Sequence, residues 1–309
     1  MTAEAVRTAE AAPVRRRLDG AMLLLVVIWG VNFPIIKSAF SDLPPFVFNG
    51  LRFLIAAALL VIILRRLEGP RPLARADLPG LVLLGLLGHV GYQTLFMAGL
   101  ARTTAGHSSL IIAMVPLFVG VLGVTLGIER PSGRTWTGLV VAFAGVFALI
   151  RGRASLSDGA GTLTGDLLTL GAAICWAAYT VLSRPFLTRF SPLRLTTVTL
   201  MLGLPVILAS GAPELVRLDW RAVSAQAWGA LVFSAFFAIV FSYIIWYTSV
   251  QAIGSARTAA FSNLIPVVAL ISAWAMLGEP LGFVQVAGGA VVLLGVWLAR
   301  KDEPAHDSR

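Results

Sequence analysis

The chain has 309 residues, of which 58% are hydrophobic and 13% are charged, and its mean hydropathy is +0.87. This composition excludes a soluble globular domain and indicates an integral membrane protein. A net charge of +9 would suggest nucleic-acid binding in a soluble protein. Here most basic residues lie in short loops, where they set membrane topology, so no nucleic-acid partner is expected. The single cysteine, Cys175, excludes an intramolecular disulfide and a cysteine metal cluster.

Ten apolar segments are predicted to cross the membrane as helices, because a helix satisfies its own backbone hydrogen bonds in lipid. Residues 1–17 are polar and Ala-rich and are expected to form a disordered cytoplasmic tail. Residues 301–309 are expected to form a second cytoplasmic tail. The predicted spans are 18–40, 45–64, 78–100, 105–127, 135–150, 165–186, 192–210, 225–249, 256–278 and 282–299.

The distribution of Lys and Arg between the loops predicts that both termini lie in the cytoplasm. If the N-terminus is inside, the inner segments, above all the N-terminal tail and residues 65–77, hold most of the loop Lys and Arg residues. The outer segments then hold few of them. This asymmetry follows the positive-inside rule, and an even number of spans returns the C-terminus to the same side.

An internal repeat relates the two halves of the sequence. Adding 150 to the residue number carries Pro116 to Pro266 and Glu129 to Glu279. Each half therefore has a mid-helix proline and an acid in the following loop. Each copy contains five spans, and an odd number inserts the second copy upside down relative to the first. The predicted domains are a first five-helix repeat at 18–150, an outer connecting loop at 151–164 and a second five-helix repeat at 165–300.

Aromatic and polar side chains share one face of four predicted helices. In the first and sixth helices these stripes begin at Trp29 and Trp176. In the third and eighth helices they contain Gln93 and Tyr243, which the offset of 150 relates. Because polar groups are costly in lipid, the stripes predict a shared cavity, although ordinary helix packing also produces aromatic stripes. The residues predicted to line the cavity and bind a solute are Trp29, Asn32, Phe33, His89, Tyr92, Gln93, Phe96, Trp176, Tyr179, Tyr243 and Trp246.

Three prolines lie inside predicted spans and are candidate hinges. Pro34, Pro116 and Pro266 each remove one backbone hydrogen bond from a helix. Such a break can let a helix move or can offer a free carbonyl to a solute. The alternative is a static bend, which membrane helices tolerate.

Few ionisable groups lie where they could couple transport to protons. The acids all lie outside the apolar cores, so the mid-depth carboxylate of many proton-coupled carriers is missing. The possible proton carriers are His89, whose side-chain type titrates near neutral pH, and Asp166, near a membrane surface. The sequence also lacks HExxH, GxSxG, a P-loop and metal-ligand spacing, so no enzymatic activity, cofactor or metal is expected.

Recurrent motifs are distributed over both halves of the chain. They are WGVNFPIIK (29–37), FNGLRF (48–53), GLARTTAGHSSLIIAMVP (99–116) followed by Glu129, VQAIGSARTAAFSNLIP (250–266), LGEP (277–280) and GGAVVLLGVWLA (288–299). With these motifs the chain resembles the EamA-type family of the drug/metabolite transporter superfamily, over about residues 20–300. The resemblance implies an all-α membrane protein of ten helices, built as two inverted-topology five-helix repeats around a central cavity. It also implies export of small metabolites, amino acids among them, across a bacterial inner membrane.

Three functions follow from these observations as hypotheses. The first is a secondary exporter of small metabolites such as amino acids, because aromatic walls with a few polar groups suit an amphipathic solute. The alternative is an exchanger of phosphorylated sugars or nucleotide-sugars, which requires basic groups to converge from among Lys37, Arg52 and Arg184. The third is a non-transporting membrane scaffold. The expected partners are a small-molecule solute and the lipid bilayer, and the sequence predicts no oligomeric state.

Overall fold

Every regular element in the described part of the chain is a helix. The computed structural model describes residues 3–127 and 163–300 and single positions between 133 and 148. The helices are α1 Ala3–Ala39, α2 Pro45–Leu67, α3 Leu78–Gly85, α4 Tyr92–Arg102, α5 Ala105–Ile112, α6 Val115–Thr125, α7 Leu163–Ser183, α8 Pro192–Leu215, α9 Ala225–Phe233, α10 Ser242–Ile253, α11 Ser255–Phe261, α12 Ile265–Leu277 and α13 Phe283–Arg300.

Seven helical stretches among the described residues are long and apolar enough to cross a membrane. They coincide with the predicted spans one to four and six to eight. Two shorter apolar helices, Ser262–Leu277 and Val286–Gly295, occupy the predicted ninth and tenth spans. About half of the predicted fifth span, Glu129 and nearly all of the connecting loop lie outside the described residues. The seven stretches are Leu18–Ala39, Pro45–Leu67, Arg75–Arg102, Ala105–Thr125, Leu163–Thr188, Pro192–Leu215 and Ala225–Ile253.

The first helix starts earlier than the sequence suggests. It begins at Ala3, so residues 3–17 extend the first helix ahead of its span, where the sequence predicts a disordered tail. Alanine is the strongest helix former, and this segment is rich in it. Local helix propensity therefore extends the helix beyond the apolar run.

Helix ends follow ordinary capping chemistry. The Ser191 and Ser224 hydroxyls accept hydrogen bonds from the backbone N–H groups of Arg194 (3.1 Å) and Ala227 (3.2 Å), at the starts of α8 and α9. Helix α12 ends at Gly278, whose positive φ of 66° is the left-handed conformation that glycine adopts without strain. These local signals fix where several loops begin.

Helical irregularities recur at equivalent places in the two halves. A π-helical turn at Leu86–Gly91 joins α3 to α4, and another at Ser234–Phe241 joins α9 to α10. The helical structure is interrupted again at residues 113–114, between α5 and α6. An equivalent interruption, a 3-10 turn at Ser262–Leu264, lies between α11 and α12. Adding 150 to the first member of each pair gives the second to within a few residues. The repeat seen in the sequence therefore extends to the interruptions of the helices.

Two of the three candidate hinge prolines lie at these breaks. Pro116 and Pro266 are each the second residue of a helix, α6 and α12 respectively, just after an interruption. A proline is accommodated there because its missing N–H would have no helical partner. Pro34 differs, because α1 continues through it to Ala39.

The two halves pack against each other and do not form separate bodies. Helix α1 lies against α12, α2 against α8 and α4 against α7, so each of these pairs takes one helix from either half. Helix α1 also contacts α9 and α10, and its counterpart α7 contacts α3 and α4. One large apolar core accordingly runs through both halves.

Polar contacts tie specific loops together at each end of the bundle. At one end, Arg189 and Asp77 form an ion pair of 2.8 Å, and the Arg194 guanidinium donates to the Arg71 carbonyl at 3.0 Å. These contacts join segments 65–77 and 184–194, the two basic loops predicted to be cytoplasmic. At the other end, the Ser224 N–H donates to the Asp42 carboxylate at 2.9 Å.

Candidate functional site

A cavity of about 50 Å³ lies between helices of the two halves. This volume holds only a few water molecules, so a solute as large as an amino acid requires the walls to move apart. Eight of the predicted cavity residues line it, and they come from α1, α4, α7 and α10. They are Trp29, Asn32, Phe33, Tyr92, Gln93, Phe96, Trp176 and Tyr243.

Aromatic rings form most of the cavity wall. Trp29 and Trp176, the residues that begin the two matched stripes, contact each other with ring centroids 5.7 Å apart. Tyr92 lies 4.9 Å from Trp176, and Tyr243 lies 6.3 Å from Trp29. Pairs at these separations each contribute about 0.5–1.5 kcal/mol beyond their buried area. The wall is therefore cohesive and apolar, with hydroxyl and indole groups at its edges.

The remaining lining residues lie where the helices are irregular. Ile112 and Val115 flank the break between α5 and α6, and Ser262 and Ile265 flank the equivalent 3-10 turn. The π-helical turn of the second half contributes Ala238 and Ile239. The Trp29 indole N–H donates to the Ala238 carbonyl at 2.9 Å. The sequence offers no direct signal for these apolar positions, and only the nearby prolines indicate that backbone groups are released there.

Arg52 is the functional candidate that the sequence analysis left out of the cavity. The residue is 2% exposed and lines the cavity from α2. Nε and Nη2 donate to the Asn49 amide oxygen at 3.1 and 2.9 Å. Nη1 donates to the Ser234 hydroxyl at 2.9 Å, and Nη2 also donates to the Gln93 amide oxygen at 2.5 Å. The Gln93 amide nitrogen in turn donates to the Tyr243 hydroxyl at 3.0 Å.

We call this group of residues the Arg52 cluster (Asn49, Arg52, Gln93, Ser234 and Tyr243). Its members other than Arg52 are neutral. The guanidinium also lies over the rings of Phe48 and Phe53, 5.7 and 5.6 Å from their centroids. Within residues 3–127 and 163–300, no carboxylate forms a salt bridge to it. The cavity wall thus holds a buried positive charge to which the described residues supply dipoles and rings but no counter-ion.

Three predicted lining residues do not line this cavity. His89 and Tyr179 belong to a second buried group, the His89 cluster (His89, Tyr179 and Thr199). His89 Nε2 lies 3.0 Å from the Thr199 hydroxyl and 3.1 Å from the Tyr179 hydroxyl, and the two hydroxyls are 2.8 Å apart. Trp246 is fully buried behind Trp29, with centroids 5.2 Å apart. Hydrogen bonds hold His89 and Tyr179 between helices, and close packing against Trp29 holds Trp246 there.

The second possible proton carrier, Asp166, lies in a polar region near one end of the bundle. Its carboxylate accepts a hydrogen bond of 2.7 Å from the Thr103 hydroxyl. Nearby, the Lys37 ammonium donates to the carbonyls of Thr103 and, at 2.8 Å, Leu100. The Glu279 carboxylate accepts hydrogen bonds from the first N–H groups of α5, at 2.8 and 3.0 Å. Lys37 therefore binds backbone carbonyls and does not reach the cavity.

Comparison with known proteins places the chain among membrane transporters. A model of the EamA-like transporter family matches residues 18–151 and 163–300. A protein named as an uncharacterized transporter, YyaM of Bacillus subtilis (strain 168), is 30% identical over 275 residues, which cover 88% of this chain and 90% of that protein. A "probable amino-acid metabolite efflux pump" of Salmonella typhimurium (strain LT2) is 32% identical over 300 residues, which cover 91% and 94%. One solved crystal structure shares the fold, with a TM-score of 0.63, 17% identity and coverage of 93% and 98%.

Proposed function

Because the chain belongs to the EamA-like transporter family, we propose that it exports amino acids or similar small metabolites across a bacterial inner membrane by alternating access. The chain is a multi-pass transporter and not an enzyme. Relatives of about 30% identity are named as transporters, and two of them as probable amino-acid metabolite efflux pumps. The substrate class is the part of this proposal that goes beyond family membership.

The observation that carries the proposal is the chemistry of the cavity. Its wall is mainly aromatic and aliphatic, and a few polar groups converge on it from Asn32, Arg52, Gln93 and Tyr243. Small-molecule sites combine an apolar lining with a small number of placed polar groups in this way. Such a lining suits a solute that has an apolar body and a polar head, as an apolar amino acid does.

The same cavity argues against the two competing functions. An exchanger of phosphorylated sugars needs several cations for a multiply charged head group. Arg52 is the one cation among the described lining residues, because Lys37 binds backbone carbonyls and Arg184 is exposed. A scaffold has no need for a buried charge beside a cavity, since polar groups within membrane proteins are costly.

The architecture that we propose is ten helices in two inverted repeats, with both termini in the cytoplasm. Matching interruptions in the two halves and the exchange of helix partners between α1 and α7 support it. The basic loops 65–77 and 184–194 meet at one end of the bundle, as cytoplasmic loops would. Asp166 near the start of α7 contacts Thr103, at the end where α4 finishes. Helices α5 and α6 lead away from that end, so a fifth span would return the chain to α7.

Alternating access requires places where the helices can bend, and we propose the breaks at Pro116 and Pro266 for this role. Both breaks are flanked by cavity-lining residues. A movement there would change the width of the cavity directly. Interrupted helices at the substrate site are a recurring feature of transporters built from repeats.

Counterflow tests the proposed function. The purified protein is reconstituted into vesicles that are loaded with one unlabelled solute at high concentration. Uptake of trace labelled solute is then measured for apolar amino acids, acidic amino acids, phosphorylated sugars and nucleotide-sugars. We expect accumulation of apolar amino acids above protein-free vesicles. Accumulation of phosphorylated sugars alone would favour the exchanger, and no accumulation of any solute would favour a scaffold.

A further inference from the structure

Arg52 and Asn32 together define how a solute would be oriented in the cavity. We propose that Arg52 binds the carboxylate of the transported amino acid, and that the Asn32 amide oxygen accepts a hydrogen bond from its ammonium group. This assignment rests on the proposed function and narrows it. It names neutral, apolar α-amino acids as the substrate class and excludes their amides and esters.

Arg52 can donate more hydrogen bonds than its described neighbours accept. A guanidinium has five N–H donors. Nε–H and both Nη2 hydrogens are directed to Asn49 and Gln93, and one Nη1 hydrogen to Ser234. One Nη1 hydrogen is therefore left without an acceptor in the part of the chain described here. Since Arg52 lines the cavity, this donor is available to a solute.

The charge of Arg52 also favours an anionic group on the solute. A buried cation with only neutral partners has lost its hydration and has gained no counter-ion, which is an expensive arrangement. The Phe48 and Phe53 rings and the amide oxygens offset part of this cost. A solute carboxylate would supply the missing negative charge, and charge-assisted hydrogen bonds are about twice as strong as neutral ones. The site thus favours an anionic group over a neutral amide of the same shape.

Asn32 supplies the second proposed contact to the solute. Asn32 is 8% exposed and lines the cavity from α1, and its Oδ1 has no hydrogen-bond partner among the described residues. A buried acceptor without a donor is unfavourable by about 1–3 kcal/mol in proteins. An ammonium group would supply the donor, so the cavity offers complementary places for the two ends of a zwitterion.

The rest of the cavity wall would contact the side chain of the solute. Most of the remaining wall is apolar and includes Trp29, Phe33, Phe96 and Trp176, with Ile112 and Val115. When the cavity widens, these rings would lose contacts with one another. An apolar side chain of the solute would replace those contacts. A side-chain carboxylate would bring a second negative charge, for which the described wall holds no second cation.

Ligand-induced thermal stabilisation of the purified protein tests the assignment without depending on transport. The probes are L-leucine, L-leucinamide and 4-methylpentanoate, which keep the isobutyl body and vary the two polar ends. We expect L-leucine to raise the melting temperature and L-leucinamide to require about a tenfold higher concentration or more for the same shift. 4-Methylpentanoate should bind between the two. Equal shifts from leucine and leucinamide would overturn the role of Arg52.

Variants of Arg52 test whether this residue causes the preference for leucine over leucinamide. In Arg52→Gln we expect leucine and leucinamide to become equivalent, whereas Arg52→Lys should retain part of the preference because it keeps the charge. Arg217→Gln, which removes an exposed arginine, is the matched control and should leave the preference unchanged. Retained discrimination in folded Arg52→Gln would overturn the assignment. If Arg52→Gln does not fold, the probe series on the wild-type protein and on Arg52→Lys still tests the assignment.

This test separates the present inference from the proposed function. Carboxylate-selective stabilisation without counterflow would leave the assignment of Arg52 intact and would contradict transport of amino acids. Counterflow of leucine that leucinamide inhibits equally well would leave amino-acid transport intact and would contradict the role of Arg52.

Discussion

The two buried polar clusters differ in what they face. The Arg52 cluster carries a positive charge and reaches the cavity, whereas the His89 cluster is sealed between helices α7 and α8 and the π-helical turn of the first half. Both are built from side chains of similar depth, and His89 stacks on Tyr243 with ring centroids 5.8 Å apart. Proximity to the cavity alone therefore does not define a binding residue. The binding residues that we propose are those with an available donor or acceptor at the cavity wall.

The clusters occupy related positions in the duplicated halves. An offset of 147 aligns Pro45 with Pro192, and the same offset aligns Arg52 with Thr199. It also aligns Asn32 with Tyr179. The first half thus has a cation and an amide where the second half has two hydroxyls that bond to His89. Among the described residues, the two halves therefore place different polar groups at these related positions.

The largest expected effect comes from the aromatic wall beside the Arg52 cluster. Trp29→Ala removes ring contacts to Trp176 and Tyr243 and the hydrogen bond to the Ala238 carbonyl. We expect leucine counterflow to fall by about tenfold or more at equal protein level. Trp274→Ala is the matched control, because this tryptophan is 57% exposed on α12. Equal activity of the two variants would remove Trp29 from the site.

The sealed cluster should respond to packing changes through stability. A Cβ on Gly88 would lie 2.1 Å from Cδ1 of Tyr179, so Gly88→Ala must displace that ring and its hydrogen bonds. Overpacking of this kind costs about 1–3 kcal/mol, which a melting curve detects. Gly120→Ala meets no atom within 4 Å and should melt like the parent protein. An unchanged melting temperature for Gly88→Ala would show that the cluster is not rigid.

A pH dependence of transport would distinguish the two possible proton carriers. His89 carries the imidazole of the sealed cluster, and Asp166 lies apart from it near one end of the bundle. If transport depends on pH, we expect His89→Gln to remove this dependence and Asp166→Asn to retain it. Uptake into everted vesicles over a pH series measures both. The opposite outcome would assign the proton to Asp166.

The smallest expected effect is the loss of one hydroxyl from the Arg52 cluster. Tyr243→Phe removes the acceptor of the Gln93 amide hydrogen and leaves the ring in place. Because a neutral hydrogen bond contributes about 0.5–1.5 kcal/mol, we expect the KM for leucine to rise by roughly three- to tenfold, with little change in kcat. A loss as large as that of Trp29→Ala would mean that the hydroxyl contacts the solute directly.

The sequence predicts the helices and the cavity wall better than it predicts the polar chemistry. Long apolar runs and the offset between Trp29 and Trp176 locate spans and place these rings opposite each other, because helical spacing is regular. Arg52 is harder to assign, since anchors and ligands have the same sequence signal. Its role depends on which hydrogens are satisfied by Asn49, Ser234 and Gln93, and two of these partners are far away in the chain. The π-helical turns escape prediction because apolar sequence alone does not mark them.

The most direct test of the account is the accessibility of the cavity from each side of the membrane. Ser262, which is 3% exposed and lines the cavity, is replaced by cysteine in a Cys175→Ser background that retains transport. A membrane-impermeant maleimide is then applied to right-side-out and to everted vesicles. Alternating access predicts labelling of the introduced cysteine in both preparations and slower labelling when leucine is present. Labelling from one side only, unaffected by leucine, would contradict the account.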